Sequence, residues 1–99
     1  MDKTEIFILT KPPHSDRTKL CLHLMGLSEN AALYLAGDGV YNLLEAAFPG
    51  SSPKKRVLAC KEDLEARGVQ AGEGVIVPEN FYELLAADMF SEGSRIYSF

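Results

Sequence analysis

Val57-Leu58-Ala59-Cys60 runs without interruption into Lys61-Glu62-Asp63-Leu64-Glu65-Ala66-Arg67-Gly68. The first four residues are apolar with no polar alternation, which reads as a strand buried on both faces. The next seven read as a two-turn helix, Lys61 to Arg67, closed by the glycine that follows. A buried strand that feeds straight into a helix is the building unit of a parallel α/β sheet.

The rest of the chain repeats that unit. Upstream, Ala31-Ala32-Leu33-Tyr34-Leu35-Ala36 reads as a strand closed by Gly37-Asp38-Gly39. Beyond it Val40, Leu43, Leu44 and Ala47 fall at i, i+3, i+4 and i+7, the apolar stripe of a helix facing a sheet. Further back, Glu5-Ile6-Phe7-Ile8-Leu9-Thr10 is a first strand stopped by Pro12-Pro13. Ser15 or Asp16 then caps a helix predicted from Arg17 to Gly26, where glycine ends it. Downstream, Val75-Ile76-Val77 reads as a fourth strand, and Pro78 starts a helix with Phe81, Leu84 and Leu85 on one face. Arg95-Ile96-Tyr97-Ser98-Phe99 supplies a last strand. This succession predicts one domain over residues 1–99, a three-layer α/β/α sandwich with a mainly parallel sheet of four to five strands. Right-handed crossovers place the loops that follow the strands on one edge, where α/β proteins keep their chemistry. Those loops hold Lys11–Asp16, Gly37–Gly39, Cys60–Lys61 and Pro78–Asn80.

Composition narrows the function. Of 99 residues, 46% are hydrophobic and 24% charged, ordinary for a globular chain and too apolar for disorder. The net charge of −4 argues against a nucleic-acid binder working through a broad basic surface. No apolar run reaches the ~18 residues of a membrane span, and Met1-Asp2-Lys3-Thr4-Glu5 lacks the pattern of a secretory leader. The 2 cysteines, Cys21 and Cys60, are too few for a disulfide scaffold and read as free thiols in a cytoplasmic protein. Lys54-Lys55-Arg56 follow the breakers Pro49-Gly50-Ser51-Ser52-Pro53 and read as a solvated loop edge. Tyr34, Tyr41, Phe48, Phe81 and Tyr82 provide aromatics for an interface as well as a core, and the edges of so small a sheet need covering.

Among chemical constellations, metal binding is discarded first. Cys21 and His23 lie two apart on one helix and point to different faces, and His14 and Cys60 fall in no ligand spacing. Gly37-Asp38-Gly39 sits where a strand meets a helix, a place that can hold an anion, but the dinucleotide fingerprint lacks its third glycine, with Asn42 there instead. The turn reads as structural, with Asp38 capping the helix after it. No nucleophile elbow or hydrolytic triad is present, and no cofactor is expected. Cys60 has a mechanism available, since it stands at the carboxyl end of a strand and at the mouth of a helix. The helix N-terminus and Lys61 favour a thiolate there, whereas Glu62 and Asp63 oppose it. The alternative is a buried strand cysteine acting as a small hydrophobe. Cys21 lies within the first helix among Leu20, Leu24 and Leu27 and reads as core, its apolar neighbours disfavouring charge.

The order of Lys11-Pro12-Pro13, Asp38-Gly39-Val40-Tyr41 and Lys61-Glu62-Asp63-Leu64-Glu65-Ala66-Arg67-Gly68 after successive strands resembles the DsrH/TusB family. These are small sulfur-relay subunits of the DsrE/DsrF/DsrH-like superfamily. The resemblance runs from Ile6 to the carboxyl end, and the stretch Glu62–Gly68 is its most specific part. It implies transfer of persulfide sulfur between cysteines, in tRNA 2-thiouridine synthesis or in sulfur oxidation. It also implies assembly with DsrE/TusD-like and DsrF/TusC-like subunits, or self-association, and contact with sulfur donor and acceptor proteins. Cys60 stands eight residues before Gly68, which matches the DsrE-type sulfur acceptor, although DsrH/TusB members generally have no cysteine there. Cys21 matches the first-helix cysteine of DsrH members from sulfur oxidisers and is the weaker candidate.

Three readings follow: a persulfide sulfurtransferase or carrier using Cys60, a non-catalytic scaffold subunit that completes an oligomer, and a small-ligand sensor using the Gly37–Gly39 turn. Exposure of Cys60 at the loop mouth favours the carrier, and burial favours the scaffold.

Overall fold

A computed structural model of the chain describes residues 4–46 and 48–99. Four strands, β1 (Glu5–Leu9), β2 (Ala31–Leu35), β3 (Lys55–Ala59) and β4 (Arg95–Ser98), form one sheet in the order β3-β2-β1-β4. All three pairings are parallel. Three α-helices, α1 (Asp16–Leu27), α2 (Lys61–Arg67) and α3 (Phe81–Met89), and a 3-10 helix at Gly37–Leu44 make the crossovers. Successive side chains of a strand point to opposite faces, and the register aligns Tyr97, Phe7, Leu33 and Val57 in one row. That row faces Cys21 and Met25 of α1, Val40 of the 3-10 helix and Leu64 of α2. The alternate residues Ile6, Ala32, Tyr34 and Leu58 pack on Phe81 and Leu85 of α3. Helices thus cover both faces, and β2 at the centre is buried at every position.

Local rules account for the elements that match expectation. The Ser15 side chain accepts from the Thr18 N–H at 3.1 Å and caps α1. Gly68 takes φ +64° after α2; its N–H donates to the Glu65 carbonyl and the Val69 N–H to that of Leu64, a Schellman ending sealed by Val69 and Leu64 in one core.

Elsewhere the structure corrects the reading. Gly26 does not end α1, which runs to Leu27 and stops where the Ser28 N–H donates to the Met25 carbonyl. Val75–Val77 is not a strand: Ile76 makes a single bridge to Leu58. Its N–H reaches Val57 O and its carbonyl accepts from Ala59 N. The next ladder donor on that segment would be the nitrogen of Pro78, which has no hydrogen, so pairing stops. α3 begins at Phe81 and not at Pro78; its first turn closes with the Leu84 N–H on the Asn80 carbonyl.

The segment after β2 is a 3-10 helix, with about three residues per turn, so Val40 and Leu43 share a face while Leu44 turns outward and is 65% exposed. Ala47, the last member of the expected stripe, lies outside the described residues, as do Met1, Asp2 and Lys3 of the amino-terminal reading. Asp38 does not cap this helix; its carboxylate pairs with Arg67 at 3.1 Å. Lys54–Arg56 is only partly a loop edge, since Lys55 and Arg56 begin β3 and Arg56 pairs with Asp88 of α3 at 3.1 Å. Of the aromatics expected at an interface, Tyr34 and Phe81 are buried; the Tyr34 hydroxyl donates to Asp88 beneath α3.

Candidate functional site

Cys60 is the hinge between β3 and α2. Its N–H donates to the Leu35 carbonyl at 3.0 Å, the last rung beside β2, and its carbonyl accepts from the Leu64 N–H at 3.0 Å, the first turn of α2. Ala59 faces the α1 side of the sheet, so Cys60, one residue on, faces α3 and joins the apolar cluster of Leu58, Phe81 and Leu85. The residue is 2% exposed. Its thiol donates to Glu62 Oε2 at 3.3 Å.

The electrostatics oppose a thiolate. Burial pushes the Cys60 thiol above the ordinary thiol range, and the Glu62 and Asp63 carboxylates push the same way; the Asp63 backbone N–H alone works downward. The 7-residue α2 therefore does not activate the sulfur. Glu62 has two effects here: its charge disfavours the thiolate, and its oxygen is the group toward which the thiol proton points. Tyr82, in the first turn of α3, stands beside the thiol. Its phenol is raised by burial first and then by Cys60, Asp63 and Glu62.

Cys21 belongs to the other core. It is fully buried among α1 and sheet residues, and burial pushes its thiol up to about 12. The sheet separates the two free cysteines, so they cannot meet in one chain. Cys21 is core, but of the neighbours expected around it only Leu24 packs there; Leu20 and Leu27 are exposed, and Met25 and sheet residues surround the thiol instead.

Both glycine amides of the Gly37–Gly39 turn are committed. Gly37 N–H donates to Asp63 Oδ2 at 2.8 Å, and Gly39 N–H to the Ala36 carbonyl at 2.9 Å. A carboxylate of α2 thus does the capping that the sequence assigned to Asp38, and Arg67 ties Asp63 and Asp38 together at 3.3 and 3.1 Å. Of the four loops expected at this edge, three meet around Cys60 and Asp63: Gly37–Asp38, Cys60–Lys61, and Pro78–Asn80 through the Lys61–Glu79 pair at 3.1 Å. The Lys11–Asp16 loop instead packs on the 3-10 helix, where the Asn42 amide donates to Lys11 O at 3.1 Å and His14 pairs with Glu45 at 2.6 Å.

Tyr82 and the bond from Cys60 to Glu62 were missed in the sequence. Glu62 was legible only as a nearby charge, and Tyr82 reaches the thiol because Phe81, its neighbour, is drawn into the core. Among the described residues no group of three or more His, Cys, Asp or Glu could hold a metal ion, and no helix is long and apolar enough to cross a membrane.

The crystal structure of the ychN protein from E. coli is similar to this chain with a TM-score of 0.70 at 22% identity, the match covering 100% of this chain and 100% of that one. At that identity the likeness speaks for the fold. No curated protein matches the sequence. The family described as DsrH-like protein matches residues 11–83, from the loop after β1 into the first turn of α3, a span that takes in Cys60, Glu62, Asp63 and Tyr82. With most of its 99 residues inside that match, the chain belongs to the DsrH-like family.

Proposed function

We propose that this chain is a cytoplasmic sulfur-relay subunit that completes and positions an oligomer in which persulfide sulfur passes between cysteines. The observation that carries this reading is the state of its thiols: both are buried and both are held above the ordinary thiol range. A carrier in isolation needs an accessible thiolate, and neither sulfur is one. The partners that suit the reading are DsrE/TusD-like and DsrF/TusC-like subunits or further copies of this chain. The pathway served is tRNA thiolation or sulfur oxidation. Contact with tRNA is indirect, because the net charge of −4 supplies little of the phosphate attraction that drives nucleic-acid affinity.

A second reading makes Cys60 itself a carrier within the assembly, favoured by its place at the carboxyl end of β3 beneath two side chains, Glu62 and Tyr82, that are themselves exposed. The Cys60 thiolate would attack the outer sulfur of a donor persulfide, release the donor thiolate and hold Cys60-S-SH until an acceptor thiolate removes the terminal sulfur.

Mass spectrometry after exposure to a persulfide donor separates the two readings. The first expects no added sulfur on the isolated chain, and transfer in the assembly that needs the chain but survives Cys60→Ser. Loading on Cys60, lost in Cys60→Ser and kept in Cys21→Ser, establishes the carrier. Loading lost only in Cys21→Ser overturns both assignments.

A further inference from the structure

The segment that follows α2 crosses the carboxyl edge of β3 beside Cys60. Ile76 is pinned there by two backbone hydrogen bonds, its N–H to Val57 O at 2.8 Å and Ala59 N–H to its carbonyl at 2.9 Å. Pro78 ends the pairing, and the chain from residue 77 onward holds to the edge through side chains. Glu79 pairs with Lys61, the residue next to Cys60, at 3.1 Å. Phe81 enters the apolar cluster that contains Cys60, and Tyr82 packs edge-on against Phe81 with ring centroids 5.1 Å apart. Cys60 is among the groups that raise the Tyr82 phenol, which puts the hydroxyl near the thiol, and the residue is 61% exposed.

The holding forces are uneven. An ion pair whose Glu79 side chain is 86% exposed contributes little, and salt screens it. Phe81, 2% exposed and edge-on to Tyr34, is a firm anchor in the core. The part of the cover over Cys60 that is weakly held is therefore the exposed Tyr82 side chain and the turn tied by the Lys61–Glu79 pair. Such segments open at far lower free energy than the fold as a whole.

We propose that residues 77–80 and the Tyr82 side chain are a strap over Cys60, latched by Tyr82 and the Lys61–Glu79 pair, and that parting them while Phe81 stays in the core uncovers the thiol without unfolding β3. The proposal deepens the carrier reading and rests on it for the identity of the incoming persulfide; the strap itself is tested without sulfur transfer. Iodoacetamide alkylates a thiolate with loss of iodide. The tryptic fragment Val57–Lys61 contains Cys60 alone of the two cysteines, so its rate is read separately by mass spectrometry. Rates are taken across pH: uncovering raises the alkaline plateau, whereas an altered charge beside the sulfur moves the midpoint.

Tyr82→Ala is expected to raise the Cys60 plateau about tenfold or more, and Glu79→Gln about two- to fivefold, the range of an exposed ion pair. Tyr82→Phe, which keeps the ring, should stay near the native rate, as should Phe90→Ala at the far end of α3. Unchanged plateaus in Tyr82→Ala and Glu79→Gln overturn the strap. An equal rise in Phe90→Ala also overturns it, because α3 would then be loosening as a whole. If the strap variants open the thiol and still take no sulfur from a persulfide donor, the carrier reading fails and the strap stands.

Discussion

At the scale of single residues, two glycines differ in what they demand. A Cβ on Gly39 would stand 2.0 Å from the Leu9 carbonyl oxygen, a clash with backbone that no rotamer relieves. Gly39→Ala should therefore cost several kcal/mol, on the order of 4 or more, and fail to give a cooperative urea transition. Gly68 has open space around its Cα but a left-handed backbone, so Gly68→Ala should cost only about 1–2 kcal/mol and shift the midpoint without changing the slope. Cys21 contributes a pH dependence. Its folded pKa of about 12 lies above the ordinary thiol value, so the folded state keeps the proton longer than the unfolded chain does. The stability this provides is complete at neutral pH and is lost as pH rises from about 9 toward 12, by up to roughly 1.4 kcal/mol per unit. Denaturation followed against pH should show that alkaline decline. Cys21→Ala should make it shallower, the raised Cys60, Tyr34 and Tyr82 groups still contributing, while lowering the neutral baseline through the cavity it leaves.

Between elements, the contact that matters most for the site is the one from α2 to the start of the 3-10 helix. The first N–H groups of a helix have no partner of their own, and here Asp63 supplies one to Gly37 at 2.8 Å while Arg67 steadies the carboxylate and lies 6.0 Å over the Tyr41 ring. Asp63→Ala should cost about 1–2 kcal/mol in urea unfolding, as removal of a helix cap does. Asp38→Ala, which removes only the exposed partner of Arg67, should stay within about 0.5 kcal/mol. An equal loss in both variants would mean that the ion pair with Arg67, and not the bond to Gly37, joins these elements.

Over the whole molecule, the surface carries more apolar area than the crossovers require. Leu27 is 71% and Phe90 88% exposed, and Ile96 on the edge strand β4 is uncovered as well. An edge strand with an apolar side chain facing outward is a place where another chain pairs or packs. The expected outcome is association: sedimentation at micromolar concentration should show a species larger than the monomer, alone or with related subunits. Monomer under both conditions would remove the assembly role. Purified chain should show no tight, salt-sensitive tRNA binding, and a steep salt slope for such binding would overturn the indirect role assigned to RNA.

Much of this architecture was legible from patterns a few residues long. The all-apolar runs at Ala31–Leu35 and Val57–Ala59 have to be buried on both faces, which requires parallel strands under two helical layers. Ser15 and Gly68 announced a helix start and a helix end because capping is settled within one turn. What stayed hidden depends on which groups meet after the crossovers close. Gly39 meets the Leu9 carbonyl too closely for any side chain, and Pro78 falls at the ladder position that needs an N–H, so Val75–Val77 reads as a strand but does not form one. Cys60 was placed at its strand end by sequence alone. Whether its sulfur would be an exposed thiolate or a covered thiol was decided by Glu62 turning back onto it and by α3 bringing Tyr82 beside it, because a thiol's charge state follows its surroundings in space and not its neighbours along the chain.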